Sequence, residues 1–217
     1  MNSMKRLMVK DFIEFLSGFY DTENYENIYR NEKKRSNLKI YLEEMQKQNP
    51  KVLFVGEAPG YLGCGITGIP FTDERVLISN EYSFIPGKGR YYISGNQKEI
   101  SSKAIWDALK IVSNSGNSLP LLWNAFPFHP FNNGNKFSNR QPDKNEIKQI
   151  GMPCIYKLLS LFNIKSIYTI GRNAFYCLSN MELNRMFKAE ESFYIRHPAH
   201  GGAVECINKI KSIYSLY

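Results

Sequence analysis

Apolar positions along this chain recur with two different periods. Phe12, Phe15, Leu16 and Phe19 stand at helical spacing, as do Leu38, Tyr41, Leu42 and Met45. They predict helices over about 5–20 and 33–48. Short apolar runs bounded by Gly, Pro or Asn then predict buried strands at about Lys51–Val55, Leu119–Trp123, Ser166–Ile170 and Phe193–Ile195. Between the runs lie further helical stripes. One, capped by Ser101 or Ser102, carries Ile105, Trp106, Leu109 and Val112 and ends at Asn114–Asn117. A second opens on Asp143 and Glu146, a capping-box pair, and carries Ile147, Ile150, Cys154, Leu158 and Phe162, with Pro153 expected to kink it. Asn173 is placed to cap a short helix, and Val204, Ile207, Ile210, Ile213 and Tyr217 mark the last one. Gly60–Pro70, Lys88–Ser94 and Pro127–Pro142 read as loops.

Strands alternating with helices imply right-handed crossovers. The expected fold is a three-layer α/β/α sandwich around a central, mainly parallel four-stranded sheet. One domain is expected over residues 1–217, with residues 1–50 as an N-terminal helical extension. In such a sheet the ligand crevice lies outside the carboxyl ends of the strands. Glu57, Asn124, Gly171 and His197 each follow a predicted strand, so topology alone gathers them at one edge. Glu57 sits in the turn Gly56-Glu57-Ala58-Pro59-Gly60 directly after the first strand. A carboxylate there is costly to bury unless it is partnered or used. The alternative is a helix cap or an ion pair with one of the many Lys and Arg.

Charge narrows the partner. The chain carries 28 Lys and Arg against 20 Asp and Glu, a formal net charge of +8, and a pI near 9.2. That balance suits a polyanion, because each phosphate neutralised releases counterions. The cluster Arg30, Lys33, Lys34, Arg35 and Lys39 reads as a solvated helix face. The longest apolar stretch, around Leu119–Phe128, is interrupted by Asn and Pro and falls short of the roughly 18 residues a membrane span needs. No membrane partner is expected, no secretory signal is visible at the N-terminus, and a cytoplasmic location is expected. Cys64, Cys154, Cys177 and Cys206 form no C-x-x-C pair or zinc-finger spacing. His129 and His197 lie on separate loops with no acidic pair at ligand spacing, so no metal site is expected. Gly56–Gly60 lacks the phosphate-loop Lys.

Four segments in order carry a family likeness: Gly56–Gly60, Gly68-Ile-Pro-Phe71, Leu121-Leu-Trp-Asn124-Ala-Phe-Pro-Phe-His-Pro130, and Arg196-His197-Pro198-Ala199-His200-Gly201-Gly202. Together they resemble the uracil-DNA glycosylase superfamily over roughly Lys51–Gly202. The first turn looks most like the branch that includes the iron–sulfur family 4 enzymes. Those carry an N-terminal Cys pair, whereas this chain has no Cys before Cys64, so neither an iron–sulfur cluster nor any other cofactor is expected.

The resemblance implies a monofunctional DNA glycosylase that flips a uracil, or a related pyrimidine, and hydrolyses its N-glycosidic bond. It implies Glu57 as holder of the attacking water and His197 as donor to the leaving base. Ala58, Phe71 and Asn124 would contact the base, Phe71 by stacking and Asn124 by reading its edge. Ala199, His200 and Gly201 would form the wedge that enters the duplex. Ser138, Asn139, Arg140, Arg172 and Arg196 would grip phosphates, with Arg140 alternatively a structural pin for its loop. Tyr61 is placed to exclude a 5-methyl group, while Gly63, Cys64 and Gly65 are placed to open the pocket for a larger base. The same chemistry on a modified phage pyrimidine is therefore a second reading. A non-catalytic DNA-binding module and a small-molecule nucleoside hydrolase or transferase remain as readings from other classes. DNA is the expected partner and a monomer the expected state.

Overall fold

The computed structural model describes residues 8–179, 191–199 and 201–215. The chain begins with α1 (Val9–Ser17), a two-residue strand β1 (Tyr25–Glu26) and α2 (Glu32–Gln48). Strand β2 (Val52–Gly56) follows, then short helices α3 (Cys64–Thr67) and α4 (Glu74–Ile78) and the long α5 (Ile100–Asn114). Next come β3 (Leu121–Asn124), β4 (His129–Pro130), the single turn α6 (Lys144–Glu146) and α7 (Met152–Leu161). The chain ends with β5 (Ser166–Ile170), α8 (Arg172–Ser179), β6 (Tyr194–Ile195) and α9 (Ala203–Ile213).

Strands β3, β2, β5 and β6 form one parallel sheet in that order, as the alternation of strands and helices predicts. Leu53, Phe54 and Val55 of β2, and all of β3, are buried. This is why they read as continuous apolar runs rather than as alternating ones. Helices cover both faces. Trp123, in register with Val55, meets Phe12 of α1 with ring centroids 5.5 Å apart, while Phe54 meets Tyr168. Phe12, Leu16, Leu38, Leu42 and Met45 belong to the same buried core as the sheet.

Some local expectations change. Glu99, not Ser101 or Ser102, occupies the N-cap position of α5. The Gly60–Pro70 loop contains α3, and the Pro127–Pro142 loop contains β4, paired antiparallel with β1. The Asp143–Glu146 capping box is present. The helix then passes through a π turn at Ile147–Gly151 before Pro153. That wide turn brings Gly151 against β3: a Cβ there would lie 2.2 Å from the Ala125 carbonyl oxygen. Residues 5–7 of the first predicted helix, Tyr217 of the last and His200 lie outside the described residues. Among the described residues no helix is long and apolar enough to cross a membrane.

The strand order fixes where a site can form. From β2 the chain crosses to β3 on one side, and from β5 it crosses to β6 on the other. Adjacent strands whose connections diverge leave a crevice outside their carboxyl ends. Glu57 follows β2 there, and Gly171 to Asn173 follow β5.

Candidate active site

The floor of this crevice is built on Gly56. The β2–β3 pairing matches Gly56 with Asn124, and two further backbone bonds extend it. Ala125 N donates to Gly56 O at 2.8 Å and Phe126 N to Glu57 O at 2.9 Å. Glu57 and Asn124 are thereby fixed side by side at the strand ends. A Cβ on residue 56 would lie 2.4 Å from Phe71 Cζ and 2.8 Å from Asn124 Oδ1. Only glycine lets the ring and the amide converge over that backbone.

Phe71 is held in an unusual conformation, with φ of 55°. A bulky residue in the left-handed region costs about 1–3 kcal/mol and persists where its surroundings over-determine it. Here Trp106 Nε1 donates to Phe71 O at 3.2 Å and to Thr72 Oγ1 at 3.1 Å, while Thr67 Oγ1 donates to Thr72 O at 2.7 Å. The buried ring ends against Gly56, beside the buried Asn124. The Asn124 amide has a long contact from Nδ2 to Cys64 Sγ, 3.9 Å. A thiol is a weak acceptor, so most of the amide's hydrogen-bonding capacity remains for a ligand.

Glu57 is half-buried, and Asn173 Nδ2 donates to its Oε2 at 3.0 Å. Burial raises the Glu57 pKa above the ordinary glutamate value, and the Asn173 hydrogen bond opposes that rise. Among the described residues this amide is its side-chain hydrogen-bond partner, and no Lys or Arg forms an ion pair with it. Asn173 is thus not the helix cap its position suggests. It lies inside the first turn of α8 and reaches 116 residues back to the β2 turn.

His197 is exposed, follows β6 and packs over Gly171, whose φ is +93°. Ala199 N donates to His197 Nδ1 at 3.2 Å. An Nδ1 that accepts carries no proton in the neutral ring, so Nε2 is the N–H donor. Glu57, Ala58, Phe71, Asn124, Asn139, Arg140, Arg172, His197 and Ala199 all line one pocket of about 450 Å³. That size suits a small ligand or a single extruded nucleoside.

The phosphate-gripping candidates divide. Arg172 lines the pocket, with its guanidinium 5.0 Å from the centre of the Tyr194 ring. Asn139 lines it too, and its Oδ1 accepts from Tyr61 N at 3.2 Å. Arg140 makes two bonds to Glu146, at 2.7 and 2.8 Å, and donates to the carbonyls of Phe131, Gln141 and Asn24. Those bonds occupy its guanidinium and pin the loop. Ser138 donates to Asn135 O and accepts from Asn132 N. Arg196 pairs with Glu205 at 2.8 Å. Ser138, Arg196 and Gly201 lie off the pocket lining, as does Tyr61.

Three residues the sequence reading did not assign to the site belong to its structure. Asn173 orients Glu57. Glu99 places a second carboxyl on the pocket wall. His129 is buried, with Nδ1 2.9 Å from Pro59 O and Nε2 3.0 Å from Lys136 O, so it ties the Glu57 turn to the Asn132–Asn139 loop. Among the described residues no three His, Cys, Asp or Glu come together as a metal-binding group.

A family model of the uracil DNA glycosylase superfamily matches residues 43–206. Among solved structures, wild-type SMUG2 of Pedobacter heparinus superposes with a TM-score of 0.67 at 18% identity, covering 96% of this chain and 97% of that one. That likeness is one of fold. No curated protein matches the chain. With the family model spanning most of the sequence, from α2 to α9, the protein belongs to the uracil DNA glycosylase superfamily and is a DNA glycosylase.

Proposed function

We propose that this enzyme extrudes uracil, or a closely related pyrimidine, from DNA and hydrolyses its N-glycosidic bond, leaving an abasic site. The observation that carries the reading is the convergence of Glu57, Phe71, Asn124 and His197 on one pocket, with the Asn173 amide hydrogen-bonded to the Glu57 carboxylate.

Glycosidic cleavage passes through an oxocarbenium-like sugar, with negative charge building on the departing base. A half-buried carboxylate at the strand end supplies the opposing charge and a place to hold the attacking water. Asn173 keeps Glu57 in one orientation and favours its ionised form. The Nε2–H of His197 is set to donate to the developing oxyanion of the base. Extruding the base costs a few kcal/mol. Stacking on Phe71 returns about 1–3 kcal/mol of that, and the Asn124 amide offers a donor and an acceptor to the base edge. Ala58 closes the wall beside Glu57. DNA is gripped by the basic surface, Arg172 included, and Ala199, His200 and Gly201 enter the duplex as a wedge. The enzyme acts as a monomer and needs no cofactor.

A second reading keeps this chemistry and enlarges the base. It is favoured by Gly60 and Cys64 in the pocket lining, small residues beside which the Glu99 carboxyl is the wall group. Defence against modified phage DNA is the biological setting that this reading fits.

The test is an alkali-cleavage assay on labelled duplexes that carry uracil, hypoxanthine, a thymine mismatch or hydroxymethylated pyrimidines. A break at uracil that disappears in Glu57→Ala supports the first reading, and a break only at a modified pyrimidine supports the second. Salt-sensitive duplex binding with no break at any base would leave a DNA-binding module and sink both.

A further inference from the structure

Two glutamates near the site differ in how their carboxyls are used. Glu74 accepts from Ser94 N, Ser94 Oγ, Gly95 N and Gln97 N at 2.6 to 3.1 Å. Those bonds fill the carboxylate and lower its pKa against the opposing effect of burial. It is a structural clamp on the 94–97 segment. Glu99 is different. Its backbone is fixed, with Glu99 N donating to Asp73 Oδ2 at 2.6 Å. It stands at the N-cap of α5, yet its side chain makes no capping bond. The carboxyl accepts a long bond from Ser102 Oγ, 3.3 Å, with Ser101 close by. An ionised carboxylate has about four acceptor sites, so most of this one's capacity is unused.

Its position is specific. A Cβ at Gly63 would lie 2.1 Å from Glu99 Oε2, and one at Gly60 would lie 2.6 Å from Oε1. The carboxyl therefore lies flat against bare backbone on the pocket wall. Gly63, against which it lies, adjoins Cys64, whose Sγ contacts Asn124 Nδ2, so the carboxyl is on the Asn124 side of the pocket. Burial, and then the Glu99 charge, raises the pKa of the Cys64 thiol, and Cys64 Sγ is the atom that contacts Asn124 Nδ2. Glu57 and Glu99 thus stand on different stretches of the pocket wall, Glu57 beside Asn173 and Glu99 beside Gly60 and Gly63. Burial also raises the pKa of Glu99, with the Ser102 and Ser101 hydroxyls opposing and Asp73 adding to the rise. Perturbed acids in clefts are candidates for function.

We propose that Glu99 is a specificity-determining residue of the base pocket, its carboxyl hydrogen-bonding an N–H or O–H group that the extruded base presents beyond the reach of Asn124. This rests on the glycosylase reading above. It selects for bases with a donor at that wall and against bases that leave the carboxyl unmatched, because an unpaired buried polar group is costly.

The test is single-turnover excision by the full chain on duplexes carrying uracil, 5-hydroxymethyluracil, hypoxanthine or 5-hydroxymethylcytosine, for the parent, Glu99→Gln and Glu99→Ala, across pH. The Gln variant keeps the shape and removes the ionisation. The expected result is at least a tenfold change in the ratio of rates between bases, with a thermal midpoint for Glu99→Gln no lower than the parent's. If every base slows by one common factor, or the ratios stay as in the parent, Glu99 is a wall residue only and the proposal fails while the glycosylase reading stands. If the parent excises nothing, both fall together.

Discussion

Asn173 Nδ2 donates to Glu57 Oε2 across the point where the connections from β2 and β5 diverge. The bond joins two segments 116 residues apart, and it favours the ionised form of a half-buried carboxylate against the upward effect of burial. Asn173→Ala removes the opposing effect on the Glu57 pKa, which then rises further. Excision that needs ionised Glu57 falls on the acid side, so the acid limb of the pH–rate profile moves to higher pH in the variant. An unmoved limb would mean that Asn173 does not tune Glu57.

Glu57→Gln is expected to lower excision by about 10²–10⁴-fold, the usual range for a positioned acid–base group. It should also stabilise the fold at neutral pH. The folded-state pKa of Glu57 lies above its unfolded value, so the folded chain keeps a proton that the unfolded chain has lost. Unfolding free energy therefore falls as pH rises from the ordinary glutamate value through the raised one. The variant escapes that fall. Its thermal midpoint exceeds the parent's near neutrality, and the gain vanishes below the ordinary glutamate range. Melting curves at both pH values check the sign.

His197→Ala removes the Nε2 donor and is expected to cost about 10²–10³-fold in rate, as loss of a single oxyanion donor does elsewhere. Duplex affinity, measured by fluorescence anisotropy, should stay within a few-fold of the parent. A parallel collapse of rate and affinity would place His197 in DNA binding rather than in chemistry.

Arg140→Lys separates a pin from a phosphate contact. Lys cannot reproduce the forked pair with Glu146 or the bonds to three carbonyls. The expected cost is about 1–3 kcal/mol of stability. The slope of log affinity against log salt should remain unchanged. A phosphate ligand replaced by alanine would instead lower that slope by about 0.9, so Arg140→Ala titrated against salt gives the second arm.

Much of the frame was legible because burial on both faces leaves a plain signature. Ser166–Ile170 is a strand with the bounds its apolar run predicts, and Val52–Gly56 is displaced by one residue. The strand predicted to start at Leu119 starts at Leu121 instead, since Pro120 cannot donate to a ladder. Two-residue strands such as Tyr25–Glu26 and His129–Pro130 are too short to show a period. The site was legible where a residue type stands at a strand end, as with Glu57, Asn124 and His197. It was not legible where the partner is remote. Asn173 at a helix start looks like a cap, and nothing local points to Glu57. Glu99 ends a polar stretch, and only the folded loop shows that its carboxyl lies against Gly60 and Gly63. His129, between Phe128 and Pro130, gives no hint that it bridges two carbonyls.

The crowding at Gly56 has a consequence for how this pocket can vary. A methyl group at residue 56 collides with the Phe71 ring and the Asn124 amide at once, and Phe71 cannot step aside without losing the backbone geometry held by Trp106. Residues 56, 71 and 124 are therefore epistatic. A library that randomises residue 56 alone should return almost only glycine. Functional diversity should appear when all three are changed together, so the base pocket is inherited, or redesigned, as a unit.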